Sequence, residues 1–117
     1  MMTSGNIAGL GMDIIEIERI KSALSKQPRF ILRVFTASER EYFTSRGNNP
    51  STIAGCFAAK EAAVKSVGGG FITDVELSWS KTGQPSLTMR GKEDLTFFVT
   101  ITHSKEYAAA TVVAVES

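Results

Sequence analysis

The sequence predicts an α+β fold, an antiparallel β-sheet packed against helices that include one long central helix. Three observations carry this. From Asp74 onward the chain falls into short segments rich in β-branched and aromatic residues, separated by turn residues. Before that point apolar residues recur at helical spacing. Between the two regions, Gly55 to Gly70 reads as a helix closed by a glycine triplet. A chain of 117 residues with 43% apolar and 21% charged residues fits one ordinary globular domain, spanning 1–117, with a single core.

Residues 6–14 alternate. Ala8, Leu10, Met12 and Ile14 point one way, and Gly9, Gly11 and Asp13 the other. The expectation is a strand with one greasy face and one nearly bare face that ends in a carboxylate. Ile14, Ile17, Ile20 and Leu24 then follow helical spacing until Gln27-Pro28 breaks the helix. Thr36-Ala37-Ser38-Glu39 is a capping box and opens a helix through Tyr42 and Phe43. After the polar loop Arg46 to Pro50, the central helix is predicted to start near Ser51 and stop at Gly68, where glycine can take the left-handed conformation. Strands are predicted at Asp74–Ser80, Ser86–Met89, Phe97–Thr102 and Ala108–Val115. Lys81 to Pro85 turns between the first two, and Ser104-Lys105-Glu106 between the last two.

A net charge of +1 gives no global field for nucleic acid or an anionic membrane, so an acidic partner must meet a local patch. The single cysteine, Cys56, excludes an internal disulfide and fits a reducing compartment. Met1 to Asn6 is short and polar, and no segment approaches the roughly 18 apolar residues of a membrane span. A soluble cytoplasmic protein is expected.

The central helix carries charge where a purely structural helix would not. At about 100° per residue, Ile53, Phe57, Val64 and Val67 form one stripe, with Lys60 in its middle and Glu61 at its edge. Charges on the core side cost several kcal/mol as order of magnitude unless they are paired. A bound cation and a phosphate would supply the partners. Asp13 and Glu61 are the candidate metal ligands, because Mg²⁺ prefers oxygen, keeps several waters and shares its sites with substrate phosphates. The glycines beside Asp13 and the alanines at 58, 59, 62 and 63 would let a ligand approach closely. The structural alternative has Asp13 capping the next helix and Glu61 paired with Lys65 at i,i+4, worth only about 0.2–0.5 kcal/mol.

Lys60 and Lys65, followed by Ser66, Gly68 and Gly69, form a candidate diphosphate site through charge and backbone N–H groups. The glycines follow the helix instead of preceding it, which excludes a nucleotide P-loop. His103 is the only histidine and falls on the apolar side of its strand where the chain turns. Without a second histidine or a Ser/His/Asp order, a zinc site and a hydrolase triad are discounted. Arg19, Lys26 and Arg33 are seven residues apart with Arg29 between them. They would mark one basic face if the helix continued, but Pro28 intervenes. Such a ridge suits a small acidic partner, and a solvated surface is the alternative.

Taken together these motifs resemble a known family. Gly9-Leu10-Gly11-Met12-Asp13-Ile14-Ile15-Glu16-Ile17-Glu18-Arg19-Ile20 is similar to the opening motif of the acyl-carrier-protein synthases, the short bacterial class of 4'-phosphopantetheinyl transferases. Phe57 to Ala62 resembles their central helix, and Gly83-Gln84-Pro85 and Ile101 to Ala108 resemble their two C-terminal signatures. The resemblance implies the 4'-phosphopantetheinyl transferase fold and a reaction. The 4'-phosphopantetheine arm of coenzyme A passes to a serine of apo acyl carrier protein, giving the holo carrier and adenosine 3',5'-bisphosphate, in fatty acid biosynthesis. It implies Mg²⁺, with Mn²⁺ as the other candidate, held by Asp13 and Glu61, and Lys65 on the coenzyme A diphosphate. Asp13, Glu61 and Lys65 are then the catalytic set, and Gly83, Pro85, His103 and Ser104 line the nucleotide end. Arg19, Lys26 and Arg29 would grip the carrier. A homotrimer with sites at the subunit interfaces is also implied.

One departure stands out. Many members carry arginine immediately before Phe-Ala-Ala-Lys-Glu, and here that position is Cys56. If that arginine helps to hold a phosphate of coenzyme A, its loss weakens the grip or shifts it to another basic residue. No covalent role is expected of the thiol, since direct displacement onto a serine needs none. The rivals from other classes are a coenzyme A-binding module without activity and a purely structural oligomer.

Overall fold

The computed structural model describes residues 6–117, so Met1 to Gly5, the first part of the short polar start, lie outside the described residues. Strand β1 (Ile7–Glu16) turns directly into helix α1 (Ile17–Lys26), so Ile14 belongs to the strand and not to the helix. Ile17 and Ile20 are the residues α1 buries. A short helix α2 (Phe30–Val34) follows Pro28, and its five residues are too few to show a helical repeat. Helix α3 (Ala37–Ser45) opens on the capping box. The Glu39 N–H donates to Thr36 Oγ1 at 3.2 Å, and the Thr36 N–H donates to Glu39 Oε1 at 2.8 Å. Helix α4 (Pro50–Val67) starts where Asn49 Oδ1 accepts the Ser51 N–H at 2.9 Å and ends at Gly68, whose φ of 74° needs no Cβ penalty. A single 3₁₀ turn, Ile72–Asp74, leads into β2 (Val75–Trp79) and β3 (Pro85–Met89), then β4 (Leu95–His103) and β5 (Tyr107–Glu116).

The antiparallel pairing is as expected, but the one expected sheet is two. One has the order β1-β5-β4 and the other is the β2-β3 hairpin. After β3 the chain turns at Gly91 (φ 86°), with Lys92 N–H donating to Met89 O and Leu95 N–H to Lys92 O. This compact turn re-aims the chain before β4 begins, and β4 pairs with β5 instead of extending the hairpin.

Residues opposite each other in a ladder share a face. Gly11 faces Val112, Asp13 faces Ala110, and Ile101 and Phe97 face Ala110 and Ala114. This inner face is covered by α4. The glycines of β1 are bare because the helix lies directly on them. A Cβ at Gly9 would run into the Ser66 carbonyl oxygen, and one at Gly11 into that of Ala62. The expectation that these glycines make room for a ligand is therefore corrected, since the helix fills that room. Ala58, Ala59, Ala62 and Ala63 serve the same contact from the other side and are fully buried. The greasy face of β1 is the outer one, with Leu10, Met12 and Ile14 more than 60% exposed.

Lys60 has an internal partner. Its side chain and that of Glu39 are both fully buried and meet at 2.9 Å. The ammonium also donates to Val75 O and lies 5.7 Å from the Phe35 ring centroid. Glu39 Oε2 accepts the Leu77 N–H at 2.7 Å. The assignment of Lys60 to coenzyme A is corrected accordingly, because an ammonium closed to solvent and bonded on several sides has nothing left for a phosphate. Replacing Lys60 with methionine strands the Glu39 charge in the core. The expected loss is about 3–5 kcal/mol of unfolding free energy, measured by urea denaturation against the unaltered chain.

Candidate active site

Asp13 sits on the inner face of β1, beyond the two glycines that let α4 close on the strand. Lys65, in the last turn of α4, reaches across to it. The ammonium donates to Asp13 Oδ1 at 3.0 Å and to the Met12 carbonyl oxygen at 3.1 Å. The lysine side chain is 55% exposed and the aspartate 16%, so the pair lies at a rim where a ligand has access. Glu61 is one turn before Lys65 and on the same side of the helix. It is half-buried, and among the described residues it makes no ion pair or hydrogen bond.

Neither structural alternative for these carboxylates is realised. Glu16, not Asp13, is the N-cap residue of α1, and no side chain caps it. Lys65 pairs with Asp13 and leaves Glu61 free. No cluster of three His, Cys, Asp or Glu residues suits a closed metal site among the described residues. Two carboxylates beside a rim do suit Mg²⁺, which takes one or two protein oxygens and completes its shell with water and phosphate.

The glycine triplet acts differently from expectation. The Gly68 N–H donates to Lys65 O at 3.3 Å and the Gly69 N–H to Val64 O at 3.2 Å. The Ser66 hydroxyl, 5% exposed, donates to Ala63 O at 2.7 Å. Ser66, Gly68 and Gly69 are thus corrected as diphosphate donors, because their polar groups close the helix end, which also carries the negative pole of the helix dipole. Of that candidate set, Lys65 alone presents a free-facing cation.

His103 ends β4 opposite Ala108, on the inner face as its spacing indicated, and is exposed. Ser104 Oγ accepts the Tyr107 N–H at 3.2 Å and shapes the following turn. Gly83 (φ 84°) and Pro85 lie in the β2-β3 hairpin, where Gly83 donates to Ser80 O at 2.9 Å. Among the described residues no hydrogen bond or ion pair joins these positions to Asp13 or Lys65. Arg19 and Lys26 are exposed on α1, while Arg29 precedes α2 and Arg33 lies in its last turn. The basic ridge is broken at Pro28 into two helices.

A cluster the sequence did not signal lies beside the hairpin. Tyr42 and Trp79 stack with centroids 3.9 Å apart and planes 1° apart. The Arg46 guanidinium lies 5.1 Å from the Tyr42 centroid. Tyr42 and Arg46 are four apart at the end of α3, an ordinary helical spacing, and Trp79 joins them only in the folded chain. A cavity of about 630 Å³ includes Asp74, Glu76, Arg90 and Lys92 in its lining and neither Asp13 nor Lys65. Arg90 is spent on Asp74 at 3.4 Å, and the mixed charges offer no focused phosphate site.

Residues 9–112 match the 4'-phosphopantetheinyl transferase superfamily. The chain belongs to this family. A curated relative, the holo-[acyl-carrier-protein] synthase of Alkaliphilus metalliredigens, is 42% identical over 120 residues, covering 92% of this chain and 98% of its own. Among solved structures, a holo-(acyl-carrier-protein) synthase from Bacillus anthracis in complex with CoA (3',5'-ADP) aligns with a TM-score of 0.82 at 37% identity, over 95% of this chain and 98% of its own. The Helicobacter pylori holo-[acyl-carrier-protein] synthase in complex with coenzyme A aligns with a TM-score of 0.77 at 30% identity, over 90% and 98%. The α+β architecture is therefore that of the family. No helix among the described residues is long and apolar enough to cross a membrane.

Cys56, where many members were expected to have arginine, is fully buried. Burial pushes its thiol well above the usual 9.0; the Glu39 charge pushes the same way and Lys60 opposes it. The thiol stays protonated and inert. Because the folded value is raised, its contribution to stability holds below pH 9.0 and is lost as pH climbs past it, where only the unfolded chain ionises. Unfolding free energy of the unaltered chain should fall more steeply above pH 9.0 than that of Cys56→Ala, and native Cys56 should resist a thiol reagent that labels it fully in urea. Equal slopes would remove the linkage.

Proposed function

We propose that this chain is a holo-[acyl-carrier-protein] synthase, transferring 4'-phosphopantetheine from coenzyme A to a serine of apo acyl carrier protein in cytoplasmic fatty acid biosynthesis. The observation that carries this reading is the Asp13–Lys65 contact, which joins residues 52 positions apart at an accessible rim beside the unpartnered Glu61. Near-full-length similarity to relatives of that name supports it.

Asp13 and Glu61 would hold Mg²⁺, or Mn²⁺ in its place. When bound, the ion supplies Lewis-acid polarisation and charge neutralisation at the diphosphate. Lys65 is aimed by Met12 O and Asp13 Oδ1, and its ammonium offsets charge growing on the leaving phosphate. The carrier serine Oγ attacks the phosphorus that bears the pantetheine arm. The bond to the bridging oxygen breaks, and adenosine 3',5'-bisphosphate leaves with the electron pair. Glu61, whose oxygens carry no hydrogen bond among the described residues, lies on the side of α4 where a serine proton, directly or through water, can be taken up.

Gly83, Pro85, His103 and Ser104 would line the nucleotide end from a neighbouring copy in a homotrimer. The outward face of β1-β5-β4 supports such an assembly, because Leu10, Met12, Ile14 and Phe98 are each more than 60% exposed there. Arg19, Lys26 and Arg29 would meet the acidic carrier.

The test mixes the protein with apo carrier, coenzyme A and Mg²⁺ and follows the phosphopantetheine mass increment by mass spectrometry. Asp13→Ala and Glu61→Ala should abolish the increment with an unchanged circular dichroism spectrum. Coenzyme A binding without any increment in the unaltered protein would favour a binding module and refute the transferase. In steady-state kinetics, Arg19→Glu should raise the carrier KM by about tenfold while leaving the coenzyme A KM near its starting value, and added salt should slow the unaltered enzyme. Salt-independent kinetics would remove the electrostatic docking.

A further inference from the structure

We infer that Arg46 is the cation that grips the ribose-linked 3'-phosphate of coenzyme A in this chain. The inference rests on the transferase reading and assigns a group that reading leaves without a partner. Lys65 accounts for the diphosphate, and the position at which an arginine was expected holds a thiol sealed in the core. A second phosphate needs a second cation.

Arg46 has the attributes of one. It is exposed, and among the described residues its guanidinium is paired with no carboxylate. An arginine left without an acid yet still fixed in place is prepared for an external anion. The fixing is visible at both ends. Its backbone N–H caps α3 by donating to Phe43 O at 3.0 Å, and its guanidinium rests over Tyr42, itself stacked on Trp79. This holding by aromatic rings leaves the five N–H donors free, where a carboxylate would have occupied two.

Its location fits a nucleotide end. A Cβ on Gly83 would lie 3.6 Å from the guanidinium, so Arg46 overlooks the Gly83-Gln84-Pro85 turn. Hydroxyls of Ser80, Thr82 and Ser86 share that hairpin. Arg46 precedes the first turn of α4 and Lys65 is in its last, so the two cations stand apart along an 18-residue helix, about 27 Å long. They serve different phosphates, with Arg46 acting on nucleotide held at a neighbouring copy's Asp13 and Lys65.

The experiment is calorimetric titration of the full chain, in Mg²⁺, with adenosine 3',5'-bisphosphate and with adenosine 5'-monophosphate, which lacks the ribose phosphate. The unaltered protein should bind the bisphosphate about tenfold or more tightly. Arg46→Gln should bring the two affinities to within about twofold, with an unchanged thermal midpoint. Arg46→Lys, which keeps the charge and loses the fork, should fall between and carries the test if the glutamine variant does not fold. Lys81→Ala, removing the cation that the hairpin turn itself carries, should keep the full preference. A preference that survives in Arg46→Gln or Arg46→Lys at its original size, one that disappears in Lys81→Ala, or none in the unaltered protein overturns the inference. Absence of the mass increment on the carrier, with this preference intact, would instead sink the transferase reading and leave the phosphate grip standing.

Discussion

The buried Lys60–Glu39 pair is the constraint on which the arrangement of this molecule depends. Glu39 does three things with one carboxylate. It closes the capping box that starts α3, takes the Leu77 N–H that anchors β2, and neutralises an ammonium projected from the middle of α4. Lys60 adds the Val75 carbonyl to the same junction. A buried ion pair of this kind gives little net stability over an apolar packing of equal volume, since both charges are desolvated. Its geometric demand is what matters here, because each hydrogen bond fixes one element against another in a single arrangement.

That junction decides how α4 presents its other sides. With Lys60 turned into the core against Glu39, the alanine side of the helix lies on β1 and β5, and Lys65 is left at the rim over Asp13. Cys56, one turn before Lys60, shares the buried environment. An arginine there would have to carry its charge past the pair, whereas a neutral thiol packs beside it at no electrostatic cost. The neutral thiol at position 56 and the internal use of Lys60 thus belong to one local environment.

Much of the fold was legible because its signals are local. Thr36 and Glu39 are three apart and announce their cap; Gly68 ends α4 by its own backbone freedom; alternation and turn residues mark the strands. The misreadings of Lys60 and of the β1 glycines concern partners distant in sequence, whereas Ser66, Gly68 and Gly69 are taken up by carbonyls of their own helix end. Spacing put Lys60 in an apolar stripe and required a counter-charge, but could not say that Glu39, already explained as a cap, would provide it. Gly9 and Gly11 signalled close approach correctly, but what approaches is the α4 main chain and not the expected ligand. The free carboxylate of Glu61 and the Asp13–Lys65 contact were compatible with the spacing, yet so was an ordinary i,i+4 pair, and only the crossing of β1 and α4 distinguishes them. The Arg46–Tyr42–Trp79 stack had no signal, since an arginine four residues after a tyrosine is ordinary helix surface and Trp79 joins them from a separate element.

The bare contact between β1 and α4 has a further effect. Side chains normally form a deformable cushion between a strand and a helix, able to absorb a volume change by switching rotamers. At Gly9 and Gly11 main chain rests on main chain, with no such cushion. The height of Asp13 above the helix is consequently a property of the polypeptide itself, insulated from drift in the identity of neighbouring side chains.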